Sequence, residues 1–308
     1  MKVVVSGASG FLGGQLIERL ASDGVDRVVG LVFEPQILAA LTEAHRDNDR
    51  FQFVGSSDAE GSFQALAGAD VLVHCAFPRA SGAALLAAGM DYGCELFTMA
   101  REAGCAAVIN ISSQSVYDSL RQQSATETSP LVLDTPYATA KYASELMLGS
   151  IYAELPHTSI RLASLIGPGF DQRVPNKMAK RALGGGQIEV MGGEQLFDYM
   201  DGRDAADALS AIARSDASTW APVYNLSAMQ PTSLSMMAAM VTEAVRKRGT
   251  VLDDPFIKKS SEGPSNPNSS VDARPFMKAF GWRPCVGLSE SIDAIVDACL
   301  AKQEALGM

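Results

Sequence analysis

The sequence predicts an α/β fold, a doubly wound parallel sheet with a smaller C-terminal lobe. Two observations carry the prediction. Short apolar runs rich in β-branched residues recur through the first half, at residues 3–5, 28–32, 51–54, 71–73, 108–111 and 160–162. Stretches with helical spacing, such as 12–20 and 85–103, lie between them. Strands that are apolar throughout, rather than alternating, are covered on both faces, and helices between successive strands supply the two covers. With 308 residues, 47% of them hydrophobic and 19% charged, the chain has ample material for such a core.

The first run, in "MKVVVSGASG", passes directly into glycines, so it reads as a first strand rather than a signal peptide. Gly7, Gly10 and Gly13 follow it, with Ser9, Phe11 and Leu12 between them, and then a helical pattern begins. Glycines at 7 and 10 allow a tight turn and close approach of a pyrophosphate, and Gly13 allows close helix–strand packing. The N–H groups at the positive end of the helix would hold the phosphates. Placed between a first strand and a first helix, this turn predicts a dinucleotide site. The second strand ends in "VVGLVFEP". An acid near that point bonds the adenosine ribose hydroxyls and favours NAD over NADP. Glu34 is close to that place, Val32 and Phe33 stand in the positions expected for the acid, and no Arg or Lys lies in the turn. The cofactor expected is therefore NAD, with NADP left open.

The fifth run leads into "NISSQSVYDS" at 110–119, whose serines should reach the carboxyl edge of the sheet, where such folds bind ligands. In "DTPYATAKYASE", residues 134–145, Thr135 is a good N-cap and Pro136 suits the first helical position. Tyr137 and Lys141 then lie one turn apart on one helix face. A tyrosine with an ordinary pKa of about 10 needs a positive neighbour to act as a base near neutrality. The glycine turn, the strand-end serines and Tyr-x-x-x-Lys, in that order, point to Tyr137 and Lys141 as catalytic.

The pattern changes after Gly167-Pro168-Gly169. Residues 170–196 hold Arg173, Lys177, Lys180 and Arg181 and a glycine run at 184–186. A strand-like "APVYNLS" at 221–227, a Met-rich helix near 234–247, a polar loop at 258–270 and two helical patterns after Val271 and after Leu288 complete the chain. The Met stripe of Met229, Met236, Met237 and Met240 reads as lobe packing. Residues 1–165 are assigned to the core, with part of 197–227 returning to it, and 166–196 and 228–308 to a substrate lobe.

Composition excludes several classes. A net charge of −10 without a basic block gives nucleic acid no surface, and no apolar run is long enough for a bilayer. Five scattered cysteines without a C-x-x-C pair suit reduced thiols in the cytoplasm. His45, His74 and His157 are isolated, so no metal site is expected.

The combination resembles the extended short-chain dehydrogenase/reductase family, its NAD-dependent epimerase/dehydratase group, over nearly the whole chain, and with it a Rossmann-type sheet. The family's glycines fall on Gly7, Gly10 and Gly13. Its "D-x-V-x-H-x-A" strand falls on "DVLVHCA", ending at Ala76, a further cofactor contact. Its catalytic Ser/Thr falls on Ser113, with Ser112 as the lesser alternative, and its Tyr/Lys pair on Tyr137 and Lys141. "RLASLIGPG", "FDYMDGRDAADAL" and "AFGWRP" match later family segments. The resemblance implies that Tyr137 moves the proton of a substrate hydroxyl, that Lys141 bonds the nicotinamide ribose and lowers the Tyr137 pKa, and that Ser113 fixes the substrate oxygen. Departures are equally specific. Gln114 and Ser115 stand where dehydratases have an Asp-Glu pair, Phe197 stands where nucleotide-sugar members have Arg, and Ser164 replaces an Asn. Arg173, Lys177 or Arg181 is the alternative source of the missing arginine's charge, against the preferred reading of all three as solvated lobe charges.

Three functional readings follow. The first is an epimerase-type hydride-transfer enzyme acting on a sugar or sugar-like secondary alcohol. The second is a net dehydrogenase or ketoreductase on a non-nucleotide substrate. The third is a non-catalytic cofactor-binding scaffold. The family often pairs through helices, so a homodimer is a further expectation.

Overall fold

The computed structural model describes residues 1–78, 82–258 and 267–305. Residues 259–266 of the polar loop lie outside the described residues. The first half runs β1 (Lys2–Ser6), α1 (Phe11–Ser22), β2 (Arg27–Val32), α2 (Pro35–Ala44), β3 (Phe51–Gly55), α3 (Ala59–Leu66), β4 (Val71–His74), α4 (Ala83–Glu102), β5 (Ala107–Ser113), α5 (Pro136–Ile151) and β6 (His157–Leu162). Each apolar run of the sequence is a strand. The second half runs β7 (Ser164–Ile166), α6 (Val174–Leu183), β8 (Glu189–Met191), β9 (Leu196–Asp201), α7 (Gly202–Ala213), β10 (Val223–Leu226), β11 (Pro231–Ser233), α8 (Leu234–Arg246), β12 (Phe256–Lys258), α9 (Arg274–Phe280) and α10 (Leu288–Ala305).

Seven strands form one parallel sheet in the order β10-β6-β5-β4-β1-β2-β3. Successive side chains on a strand point to opposite faces, and both faces are buried. Val3, Val5, Val28, Val71, Val73 and Ile109 face the cluster that holds Leu16 and Leu20 of α1 and Leu209 and Ile212 of α7. Val4, Val29, Leu31, Leu72 and Val108 face Leu96 and Phe97 of α4 and Leu148 of α5. The strand order reverses between β1 and β4, and the carboxyl ends of strands flanking such a reversal open a crevice.

A second cluster joins α6, α8 and α10 through Met178, Met237, Val241, Ile292 and Val296, with Tyr199 of β9 and Ile166 of β7. Of the Met stripe, Met237 is buried here, whereas Met229 and Met236 face outward. Residues 274–282, in the span assigned to the lobe, pack against the main sheet. Their aromatics are the reason: Phe276 sits edge-on to Tyr224 of β10 at 5.8 Å and to Trp282 at 5.7 Å. Among the described residues, no helix is long and apolar enough to cross a membrane, and no three His, Cys, Asp or Glu cluster to hold a metal.

Candidate active site

The turn after β1 is built on backbone contact that only glycine permits. Gly7 has φ +71°, and a Cβ there would stand 2.8 Å from the Ala76 nitrogen. At Gly13 a Cβ would stand 2.2 Å from the Gly7 carbonyl oxygen. The Gly10 N–H donates to that same oxygen at 2.9 Å and closes the turn. Gly10 is also the N-cap of α1 and brings no capping side chain, so the N–H groups of the first turn face whatever lies in front of them. A cavity of about 770 Å³ opens there. Gly7, Ser9, Gly10, Phe11, Leu12 and Gly13 line it, with Glu34 and Ala76. Glu34 is the N-cap of α2, and the Ser9 hydroxyl donates to its carboxylate at 3.3 Å.

Phe11 also reaches the other way. Its ring stacks on Phe170 at 4.1 Å and 19° and fills space that glycines leave open. A Cβ at Gly167 would lie 2.9 Å from the ring, and one at Gly202 2.7 Å.

Helix α5 starts as its sequence dictates, with the Thr135 hydroxyl accepting the Ala138 N–H at 3.1 Å and Pro136 in the first turn. This sets Tyr137 half-buried and Lys141 buried one turn below it. The Lys141 ammonium donates to the Ile111 carbonyl of β5 at 2.7 Å. It lies 4.0 Å from the centre of the Phe77 ring and 6.0 Å from that of Tyr137. Phe77 in turn stands edge-on to Tyr137, centroids 5.9 Å apart. Burial pulls the Lys141 pKa down to about 7. Its neighbours in the strand below stay neutral near that pH, because burial pushes the Cys75 thiol up to about 12 and the His74 imidazole down to about 3.

Lys141 does not line the 770 Å³ cavity; Phe77 does, and roofs it. Phe77 is the residue that sequence reasoning missed. Its one signal is an aromatic directly after Ala76 in "HCAFP".

A second cavity of about 330 Å³ is lined by Ser113, Ser115, Tyr137, Gln172 and Arg173 among others. Tyr137 belongs to this cavity and touches Phe77 of the first, so the two share a wall. Ser113 ends β5, its hydroxyl 2.8 Å from that of Ser115. Ser112, one residue earlier and therefore on the opposite face, bonds instead to Glu145. Glu145 pairs with Arg161 at 2.7 Å, with both side chains less than 10% exposed (8% and 6%). Arg161 also donates to the Tyr117 hydroxyl at 3.0 Å. Of the two serines, only Ser113 faces the cavity. The reading of Arg173 as a solvated charge is corrected: it is half-buried against Phe170, whose ring it covers at 4.7 Å. Lys177 and Arg181 do lie elsewhere, in a groove beside β8 where Arg181 pairs with Glu189 at 2.9 Å.

The sequence profile of the NAD dependent epimerase/dehydratase family matches residues 3–227. The chain belongs to this family. Among the relatives of this family member is the low-salt glycan biosynthesis protein Agl12 of Haloferax volcanii, 26% identical over 99% of this chain and 100% of that protein. Another is the UDP-glucose 4-epimerase of Mycolicibacterium smegmatis, 26% identical over 96% of this chain and 98% of that one. Among solved structures, a mutant UDP-glucuronic acid 4-epimerase from Bacillus cereus, in complex with UDP-4-deoxy-4-fluoro-glucuronic acid and NAD, has the same fold. It superposes with a TM-score of 0.83 at 19% identity, covering 98% of this chain and 100% of that one. In this family member the glycine turn faces one cavity, Ser113 and Tyr137 face another, and Phe77 stands between them.

Proposed function

We propose that this protein is an NAD-dependent hydride-transfer enzyme of the epimerase type, acting on a sugar or sugar-like secondary alcohol. The observation that carries the reading is the shared wall: Tyr137 and Ser113 open onto a cavity of monosaccharide scale, and the glycine-turn cavity lies on the other side of Phe77. The residues present fit a dinucleotide, since the tight turn that Gly7 and Gly13 allow aims the uncapped start of α1 at the 770 Å³ cavity. Gly7, Ser9, Gly10, Phe11, Leu12, Gly13 and Ala76 would hold its phosphates and ribose, with Glu34 accepting from the adenosine ribose hydroxyls. Glu34, Asp91 and Glu95 line that cavity and no Arg or Lys does among the described residues, which favours NAD over a 2′-phosphorylated cofactor. When bound, NAD supplies hydride acceptance and return.

The protein's own share is proton transfer and orientation. Tyr137 Oη takes the substrate hydroxyl proton and gives it back. Ser113 Oγ holds the same oxygen, and the Lys141 ammonium favours the Tyr137 phenolate. Among the described residues none that lines the 330 Å³ cavity is a carboxylate, which speaks against elimination of water driven by an acid–base pair. The epimerase and the glycan-biosynthesis relatives support a sugar as substrate. We further propose a cytoplasmic location, consistent with five unpaired cysteines, and pairing of copies through the adjacent α4 and α5.

The test is Tyr137→Phe, assayed on nucleotide sugars and free sugars with NAD. Turnover should fall by about 10²–10⁴-fold while NAD affinity is retained. Retained turnover would remove Tyr137 from the chemistry. Interconversion of two epimers without net NADH supports the epimerase form, whereas stoichiometric NADH would replace it with net dehydrogenation.

A further inference from the structure

We propose that the substrate carries an anionic group, a carboxylate or a phosphate, on or beside the ring that reacts at Tyr137, and that Arg173 reads it. The inference rests on the function proposed above and names the class of substrate.

Arg173 lines the same 330 Å³ cavity as Ser113 and Tyr137. A space of that size, at the lower end of small-molecule sites, takes one ring and its substituents. An anion that meets Arg173 there belongs to the same small moiety as the reacting carbon, not to a distant part of a long ligand. The guanidinium is held in place: it lies over Phe170, and Phe170 is fixed by its stack on Phe11. Other arginines of the protein that are withdrawn from water have acceptors beside them: Arg161 has Glu145, Arg248 has Asp293, and Arg121 has the Asp118 and Ser270 carbonyls and the Gln114 side-chain oxygen. Arg173 makes no ion pair with a carboxylate among the described residues; the groups that act on its charge are the phenols of Tyr137 and Tyr199. Burial accordingly loosens its hold on the proton. A half-buried cation without an acid is poorly compensated, and a planar fork of donors suits a carboxylate or phosphate oxygen pair better than any neutral group.

The experiment is calorimetric titration of the NAD-saturated protein with two pairs of probes, UDP-glucuronate against UDP-glucose, and glucose 1-phosphate against glucose. One acid should bind about 10- to 100-fold more tightly than its neutral partner. Preference in the first pair identifies a carboxylate, and preference in the second a phosphate. Arg173→Gln should level the preferred pair, and Arg173→Lys should restore part of the difference. NAD titration of each variant reports that it is folded. Discrimination that survives Arg173→Gln, or equal binding of acid and neutral probes (including none detectable), overturns the proposal. Failure of the underlying reading is seen separately, as wild-type protein that does not bind NAD.

Discussion

Replacing Lys141 by Met should make the protein more stable, and more so in acid than in alkali. The ammonium is buried, and its pKa falls from the ordinary 10.5 to about 7. At 1.36 kcal/mol per pKa unit this corresponds to roughly 5 kcal/mol of unfavourable charge burial when the folded protein carries the proton. Between those two pKa values the unfolded chain binds a proton that the folded chain does not. Wild-type stability therefore rises with pH across that window, by up to about 1.4 kcal/mol per pH unit, and is lowest below pH 7. Met at 141 has no proton to bind and removes this dependence. The Phe77 face at 4.0 Å works against burial by favouring the ammonium, which narrows the window from below.

Taking both effects together, the stability advantage of the Met variant should shrink by roughly 1–3 kcal/mol between pH 6 and pH 9. The lost bond to the Ile111 carbonyl subtracts about 1 kcal/mol equally at both. His74 and Cys75, beside Lys141, do not change charge in this range in the folded protein. Urea unfolding of both proteins at the two pH values, in the Tyr137→Phe background so that the phenol does not titrate, measures the quantity directly. A difference that does not change with pH, or grows with it, would refute the argument that burial sets the Lys141 ionisation.

Two further changes test the scaffold. Gly13→Ala drives a methyl into the Gly7 carbonyl, a backbone atom that cannot swing aside; a loss of about 2–3 kcal/mol in NAD affinity or stability is expected. Gly287→Ala, with nothing within 4 Å of its added methyl among the described residues and no positive φ, serves as the neutral control in the same NAD titration. Arg161→Met leaves Glu145 buried without its partner and should lower stability by about 3–5 kcal/mol in urea unfolding, against well under 1 kcal/mol if the pair contributes nothing.

The sheet was legible because its strands are apolar on both faces, a pattern that needs no knowledge of the partners. The start of α5 was legible for a similar reason: Thr135 and Pro136 act on backbone groups within one turn of themselves. Residues whose role depends on a partner far along the chain were not legible. Phe77 gains its meaning from Lys141, which α5 carries beneath it. Arg173 reads as one basic residue among four until Phe170 fixes it beside Tyr137, and the aromatics of α9 gain their place at the sheet edge only from Tyr224 of β10. Ser112 and Ser113 differ only in which face of β5 they take, and the Glu145–Arg161 pair claims the first.

The seating of Phe11 bears on how such enzymes can be recombined. The ring springs from the cofactor turn but occupies a socket made by the chain between β7 and α7, with glycine on either side. A chimaera that imported residues 166–202 from another member of the family would have to bring glycine at both 167 and 202, or trade Phe11 for something smaller. The unit that can be exchanged is therefore the socket together with its plug, and a library that shuffles substrate segments at the obvious boundary near residue 165 would separate the two.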